Sequence, residues 1–155
     1  MLGAFPGICE KQIDSQRSDQ LRQIKFLNMN NYKGVIIEES LTNKNILKKI
    51  KIVSTKVEKV TGEHQTPWFS QWTLHTIELP ESEAKTIAKE ISQSLDNEHS
   101  WYADFKNNTY HYIIFRNKIF YIDRINKEQY DEAKRYGISL GIPDYQVAFA
   151  PDDKI

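Results

Sequence analysis

The segment from Trp101 to Arg124 places the strongest constraint on the fold. It contains three stretches in which apolar and polar residues alternate, separated by Asn107-Asn108 and Asn117-Lys118. Asparagine tolerates a positive φ better than most residues, so each pair is predicted to form a two-residue turn. The sequence therefore predicts an antiparallel meander with strands at Trp101–Lys106, Thr109–Arg116 and Ile119–Arg124.

Helices and strands alternate in the residues before this meander. Strands are predicted at Lys33–Glu39, Lys51–Val60 and Gln71–Leu79, and helices at Asn43–Ile50 and from Pro80 onward. A last helix is predicted from an N-cap at Asn126 to a C-cap at Gly137. The order β-α-β-β-α-β is typical of ferredoxin-like domains. We therefore predict an α+β fold of ferredoxin-like order, extended by an antiparallel hairpin and a C-terminal helix.

The first 28 residues differ from the rest of the chain. They are rich in glutamine and serine and show no clear core-facing period. We predict a poorly ordered extension over residues 1–28 and a single α+β domain over residues 29–155, and we consider Met29 as the native start. The alternative is a helix over about Ser15–Phe26, anchored by Leu21, Ile24 and Leu27.

Charge and cysteine content limit the class of protein. The 155 residues carry 21 Lys+Arg and 21 Asp+Glu, which makes a general nucleic-acid binder unfavourable because phosphate affinity comes mainly from clustered basic residues. One cysteine, Cys9, excludes an internal disulfide and fits a reducing cytoplasm. No apolar run approaches the roughly 20 residues that a membrane span requires. We expect a cytoplasmic protein with no membrane association.

Four segments carry a resemblance to a known family. They are KGVIIEESL, TPWFSQWTLHTIELPE, WYADFKNNTYHYIIFRNKIFYIDR and YGISLGIPDYQ. These segments resemble those of a family of small, uncharacterised prokaryotic proteins, over about residues 33–155. The resemblance covers the whole domain and implies no catalytic signature, so it transfers no site residues to this chain.

The predicted meander suggests one candidate catalytic site. With the turns placed as above, Asp104 faces His111 and His111 faces Arg124, so that the three form a row on one face of the sheet. A carboxylate can orient an imidazole and an arginine can bind an anion, so the row could perform acid–base chemistry on an anionic substrate. The alternative is a row of surface charges that keeps the sheet margin soluble.

The long Thr61–Ser70 connection suggests a second site. Candidate ligand-binding residues on and near it, together with one from the meander, are His64, Trp68, Trp72, His75 and Tyr102. Large apolar side chains on such a loop can cover a pocket, or Trp68 and Phe69 can close the open end of the core. The eleven-residue spacing of His64 and His75 matches no familiar metal site, and we predict neither a metal nor a cofactor.

Three functions follow from these sites. We favour a binding module that recognises a small molecule or a protein through the sheet face and the loop. The second is a small enzyme that uses the Asp104, His111 and Arg124 row. The third is an interaction protein that dimerises through an exposed strand edge.

Overall fold

The structure, a computed structural model, describes residues 10–151 of the chain. Its central element is one antiparallel sheet. The six strands are β1 (Tyr32–Ile37), β2 (Lys51–Lys59), β3 (Gln71–Leu79), β4 (Tyr102–Lys106), β5 (Tyr110–Phe115) and β6 (Lys118–Asp123). Their order across the sheet is β2-β3-β1-β4-β5-β6. The helices are α1 (Glu10–Met29), α2 (Glu81–Ser94) and α3 (Lys127–Ser139). The predicted α+β class is confirmed.

Each face of the sheet has its own core. On the first face, α2 packs its apolar side against β1, β3, β4 and β5. This core includes Tyr32, Ile36, Ile77, Ala84, Ile87, Ala88, Ile91, Phe105, Tyr112 and Ile114. On the second face, α3 and the C-terminal segment cover β5 and β6. That core includes Ile113, Phe115, Phe120, Ile122, Tyr130, Ala133, Ile142 and Val147.

The predicted meander is present, but its turns are displaced. The first turn is centred one residue later than predicted, and the second turn one residue earlier. Lys106 faces His111 and Phe115 faces Lys118. The first turn moves because the Asn107 side chain accepts hydrogen bonds from the backbone N–H groups of Thr109 and Tyr110, at 2.9 and 2.7 Å. This asparagine therefore precedes the two central residues instead of being one of them. Both pairings shift by two positions, so every side chain keeps its predicted face.

Two predicted helix features are corrected. The first predicted helix is a six-residue 3₁₀ helix, Lys44–Lys49, in which the Asn43 side chain accepts from the Asn45 N–H. Gly137 does not end the last helix. It is buried within α3, and the helix is terminated by Gly141, whose φ of +86° is the left-handed conformation that glycine favours. The Gly141 and Ile142 N–H groups complete the cap by donating to the Ile138 and Gly137 carbonyls.

The N-terminal segment is helical where it is described. Helix α1 begins before the predicted Ser15 and ends after the predicted Phe26. Leu21 and Ile24 are 59% and 54% exposed, so they do not anchor it to a core as the helical alternative required. Leu27 lies outside the described side chains, and residues 1–9 and 152–155 lie outside the described chain. The proposed division at residue 28 stays a prediction. No helix in the described part of the chain is long and apolar enough to span a membrane.

Candidate functional site

A cleft opens on the second face of the sheet, beside the region that α3 covers. Its larger part is a cavity of about 440 Å³, and a smaller cavity of about 230 Å³ shares four lining residues with it. We call the two together the tryptophan cleft. The larger cavity is lined by Val35, Ile37, Trp72, Leu74, Ser100, Trp101, Tyr102, Asp104, Ile142, Tyr145 and Gln146. The smaller one adds His64, Gln65, Thr66, Trp68, His99, Leu140, Gly141 and Pro143.

The floor of the cleft follows from strand alternation. Ile36 pairs with His75 on the first face, so the neighbouring Ile37 and Leu74 point to the second face. Val35 pairs with Asp104 in the same way. Val35 is 38% exposed although it is a large apolar residue near the middle of the sheet. The sheet therefore offers an apolar floor that no helix of residues 10–151 covers.

Two chain segments that are far apart in sequence form the walls. The Gln146 amide donates to the His64 carbonyl at 3.2 Å and to the Tyr145 hydroxyl at 3.0 Å. The Tyr145 hydroxyl donates in turn to the Glu63 carbonyl. These bonds connect the C-terminal segment to the loop before β3, so the cleft has two sides joined at one end.

All three tryptophans of the chain line the cleft. The Trp72 indole N–H donates to the buried Thr66 hydroxyl at 3.0 Å, and its ring lies 5.9 Å from that of Trp101. Trp68 is 48% exposed and stacks on His99, with 4.0 Å between ring centroids. Phe69 packs against the core, whereas Trp68 does not. The loop thus contributes one aromatic residue to the core, Phe69, and one exposed aromatic surface, that of Trp68.

His64 and Tyr102 act as supports at the margin of the cleft. The His64 ring accepts at Nδ1 from the Thr61 N–H at 2.9 Å and lies edge-on to Trp72 at 4.5 Å. The Tyr102 hydroxyl donates to the Gln146 carbonyl at 2.5 Å. Both side chains are therefore held in place, and both line the cleft.

Asp104 gives the cleft its charge. Its Oδ2 atom lies 2.7 Å from Nε2 of His111, and the histidine Nδ1 lies 3.0 Å from the Tyr130 hydroxyl. His111 and Tyr130 are 1% and 0% exposed, whereas the Asp104 side chain is 29% exposed. All three groups have hydrogen-bond partners when His111 donates from Nε2 to the carboxylate and the Tyr130 hydroxyl donates to Nδ1. The carboxylate then accepts from the buried imidazole, and its side chain reaches the cleft surface.

The predicted catalytic row is corrected at Arg124. Its Nη1 atom donates to the Asn107 carbonyl at 2.7 Å, and its backbone pairs with Thr109. His111 faces Ile122 across β5 and β6, so arginine and histidine are not cross-strand neighbours. The structure brings Asp104 and His111 together but places the imidazole where it has no access to a ligand.

His75 lies apart from the other predicted ligand-binding residues. It is buried on the first face, with Nδ1 2.9 Å from the Thr55 hydroxyl and Nε2 2.8 Å from Glu38 Oε2. The pKa of the Glu38 carboxyl is held below its ordinary value by hydrogen bonds from His75 and Lys44, which outweigh the effect of burial. Both ring nitrogens are engaged, so this histidine orders the junction of β2, β3 and the segment after β1.

Two acidic residues lie beside His99, which lines the smaller cavity. Burial raises the pKa of Asp96, but hydrogen bonds from the Glu98 N–H and from His99 outweigh it and leave the pKa below its ordinary value. Asp96, Glu98 and His99 have potential metal-ligand atoms within 4.8 Å of one another. Asp96 and His99 already bond to each other at 2.8 Å, so their proximity needs no metal to explain it.

Sequence reasoning missed part of the cleft. Trp101 was predicted as the first residue of a strand, and Ser100, Tyr145 and Gln146 were not predicted as site residues. The available signal was composition: two large aromatic residues beside polar groups, in segments without regular spacing. Nothing in the local pattern indicates that these segments meet, because the contact depends on how α3 returns the chain to the sheet.

Comparisons with known proteins identify no relative. No family model matches the chain, and no curated protein or solved structure is significantly similar to it.

Proposed function

We propose that this protein is a binding module whose tryptophan cleft takes a small organic cation, an amine attached to an aromatic or alkyl body. The observation that carries the proposal is the Asp104 carboxylate, which stands at the surface of an aromatic cleft. A volume of about 440 Å³ is within the range of small-molecule sites, roughly 300–1,000 Å³.

The charge of the lining favours a cation. Among the residues that the structure describes, the lining of the cleft contains no lysine, arginine or glutamate, and Asp104 is its aspartate. An ammonium group can pair with this carboxylate and also lie against the faces of Trp72, Trp101 and Tyr145. Cation–π contacts of this kind contribute about 0.5–2 kcal/mol each. An anionic ligand would meet Asp104 without a compensating positive charge.

The buried histidine supports binding and not proton transfer. His111 fixes one oxygen of Asp104 and leaves the rest of the carboxylate toward the cleft. Since the imidazole is 1% exposed and both its nitrogens have partners, it acts as a positioning residue. A preorganised carboxylate loses less side-chain entropy on binding than a free one.

Intrinsic tryptophan fluorescence tests the proposal directly, because every tryptophan lines the cleft. We would titrate the protein with 2-phenylethylamine, 2-phenylethanol and 3-phenylpropionate, which share a phenyl group and differ in charge. The amine should change the fluorescence at the lowest concentration and raise the melting temperature, since a ligand of the native state stabilises it. Equal responses to the three compounds, or a preference for the carboxylate, would refute the proposed charge selectivity.

We also propose that β1 to β4 form a ferredoxin-like core and that the protein is cytoplasmic. The order β2-β3-β1-β4 and the placement of α2 between β3 and β4 support the first proposal. The 3₁₀ helix Lys44–Lys49 would occupy the place of the first helix of that motif. The second proposal is supported by the single cysteine, which suits a reducing compartment.

A further inference from the structure

A second concave site lies on the first face of the sheet, between α2 and the β5–β6 hairpin. This groove, of about 710 Å³, is larger than either cavity of the tryptophan cleft. We call it the lysine groove. It is lined by Lys85, Lys89, Ser92, Gln93, Tyr112, Asn117, Ile119 and Tyr121. The lysine groove shares no lining residue with the tryptophan cleft, and the two sites lie on opposite faces of the sheet.

The floor of the groove is aromatic and apolar. The rings of Tyr112 and Tyr121 lie 4.7 Å apart, and Tyr121 also stacks on Tyr110 at 4.7 Å. Tyr121 is 50% exposed although it belongs to this stack. Ile119 continues the apolar surface toward the hairpin turn. A flat apolar body would bury this surface without moving a core residue.

The wall of the groove is cationic. Lys85 and Lys89 are four residues apart on α2, so they extend from the same face of the helix. Neither ammonium group has an ion-pair partner among the described residues, and like charges at this spacing repel each other. By contrast, the ammonium group of Lys49, which belongs to the 3₁₀ helix Lys44–Lys49, forms an ion pair with Glu90 of α2 at 2.7 Å.

Two carboxylates, those of Glu81 and Asp123, act on the tyrosines of this site. The negative charge of Glu81 contributes, after burial and Tyr121, to a raised pKa of the Tyr112 hydroxyl. Glu81 begins α2, one turn before Lys85 and at the opposite end of the helix from Ser92. Ser92 accepts from the Asn117 N–H at 3.4 Å, which closes the groove at that end. Neither carboxylate lines the groove, whereas both lysines do.

From this geometry we propose that the lysine groove binds an organic carboxylate with an aromatic or alkyl body. The carboxylate bridges the Lys85 and Lys89 ammonium groups, and the apolar body lies on Tyr112, Ile119 and Tyr121. This site has the opposite charge preference to the tryptophan cleft. It does not depend on the function proposed for that cleft.

Isothermal titration with 2-naphthoate tests the site, with 2-naphthalenemethanol as the uncharged comparison. We expect Lys85→Gln and Lys89→Gln each to weaken naphthoate binding several-fold, and the double variant to weaken it by about tenfold or more, because charge-assisted hydrogen bonds are lost. The Lys85→Arg and Lys89→Arg double variant should retain binding. Raised salt should weaken it as well, since the site is open to solvent.

Two controls locate the binding. Lys48→Gln removes an exposed lysine of the 3₁₀ helix Lys44–Lys49 and should leave naphthoate affinity unchanged. Tyr121→Ala should weaken it through loss of the apolar floor. Naphthoate affinity that is the same in the lysine double variant as in the wild type would overturn the proposal. Equal affinity for the alcohol, or no heat of binding at millimolar naphthoate, would also overturn it.

Discussion

The imidazole of His111 and the carboxylate of Asp104 form a 2.7 Å hydrogen bond that joins the buried core to the tryptophan cleft. On one side of the bond the histidine is 1% exposed; on the other the aspartate side chain is 29% exposed. The hydrogen bond holds the carboxylate of Asp104, which lines the cleft, in a fixed orientation. Because His111 is buried, the same bond also contributes to the stability of the core on the second face.

Removal of the His111 ring should destabilise the protein. His111→Ala leaves a cavity and deprives two polar groups of their partner, so we expect the free energy of unfolding to fall by about 2–3 kcal/mol. Tyr130→Phe removes only a hydroxyl and should cost about 1 kcal/mol. Urea denaturation measures both. If His111→Ala unfolds at the wild-type midpoint, the histidine is not the structural link described here.

Gly34 is required where β1 passes β4. A Cβ atom at this position would lie 1.9 Å from the Asp104 carbonyl oxygen and 2.7 Å from the Phe105 Cα. Gly34→Ala should therefore cost about 3 kcal/mol or more, because backbone and not a flexible side chain must move. Gly62→Ala is the matched control, since nothing lies within 4 Å of its Cβ, and it should change stability by less than about 0.5 kcal/mol. Similar stabilities of the two variants would contradict the close approach.

The Glu38 and His75 pair should make stability sensitive to acid. The pKa of Glu38 is lowered in the folded protein, by His75 first and Lys44 second. A lowered carboxyl pKa contributes stability above its unfolded value, and that contribution is lost as the pH falls through the folded value. We expect the urea midpoint to fall in this acidic range, and to fall less steeply in Glu38→Gln.

Glu132→Gln is a suitable control for that measurement, because Glu132 is exposed on α3. It should reproduce the wild-type acid dependence. A Glu38→Gln variant whose midpoint falls as steeply as the wild type would show that this carboxylate does not contribute to the acid sensitivity.

The two walls of the cleft should loosen when Gln146 is shortened. Gln146→Ala removes the bond to the His64 carbonyl, so we expect faster amide hydrogen exchange in residues 61–70. Exchange in β4 and β5 should remain slow, because their bonds are in the sheet. Unchanged exchange in residues 61–70 would contradict this role of Gln146 and would indicate that other bonds, such as those of Tyr145 and Trp72, hold the loop.

Local patterns predicted most of the fold. Alternation located the strands, and β3 has the predicted bounds at Gln71 and Leu79. The helix predicted from Pro80 onward is α2, and Ala84, Ile87 and Ile91 lie on its buried side at helical spacing. The position of the first turn was wrong because Asn107 can either occupy a turn or cap it with its side chain, and the sequence alone does not distinguish these roles.

The cleft could be predicted only in part. His64, Trp68, Trp72, Tyr102 and Asp104 line it. His75 does not, because strand alternation places it on the opposite face from Trp72 and Leu74. The C-terminal wall required tertiary information: the turn at Gly141 directs Tyr145 and Gln146 back across the sheet, over a sequence separation of 82 residues from their partners.

Binding of 2-phenylethylamine to Asp104→Asn tests the central claim most directly. The asparagine keeps an oxygen that can accept from His111 but removes the charge, while Asp131→Asn removes a carboxylate from the surface of α3 as the control. We expect the tryptophan fluorescence titration to show affinity about tenfold weaker in Asp104→Asn, corresponding to about 1.4 kcal/mol, and unchanged in Asp131→Asn. Equal affinity in Asp104→Asn and the wild type would contradict the assignment of Asp104 as the group that selects a cation.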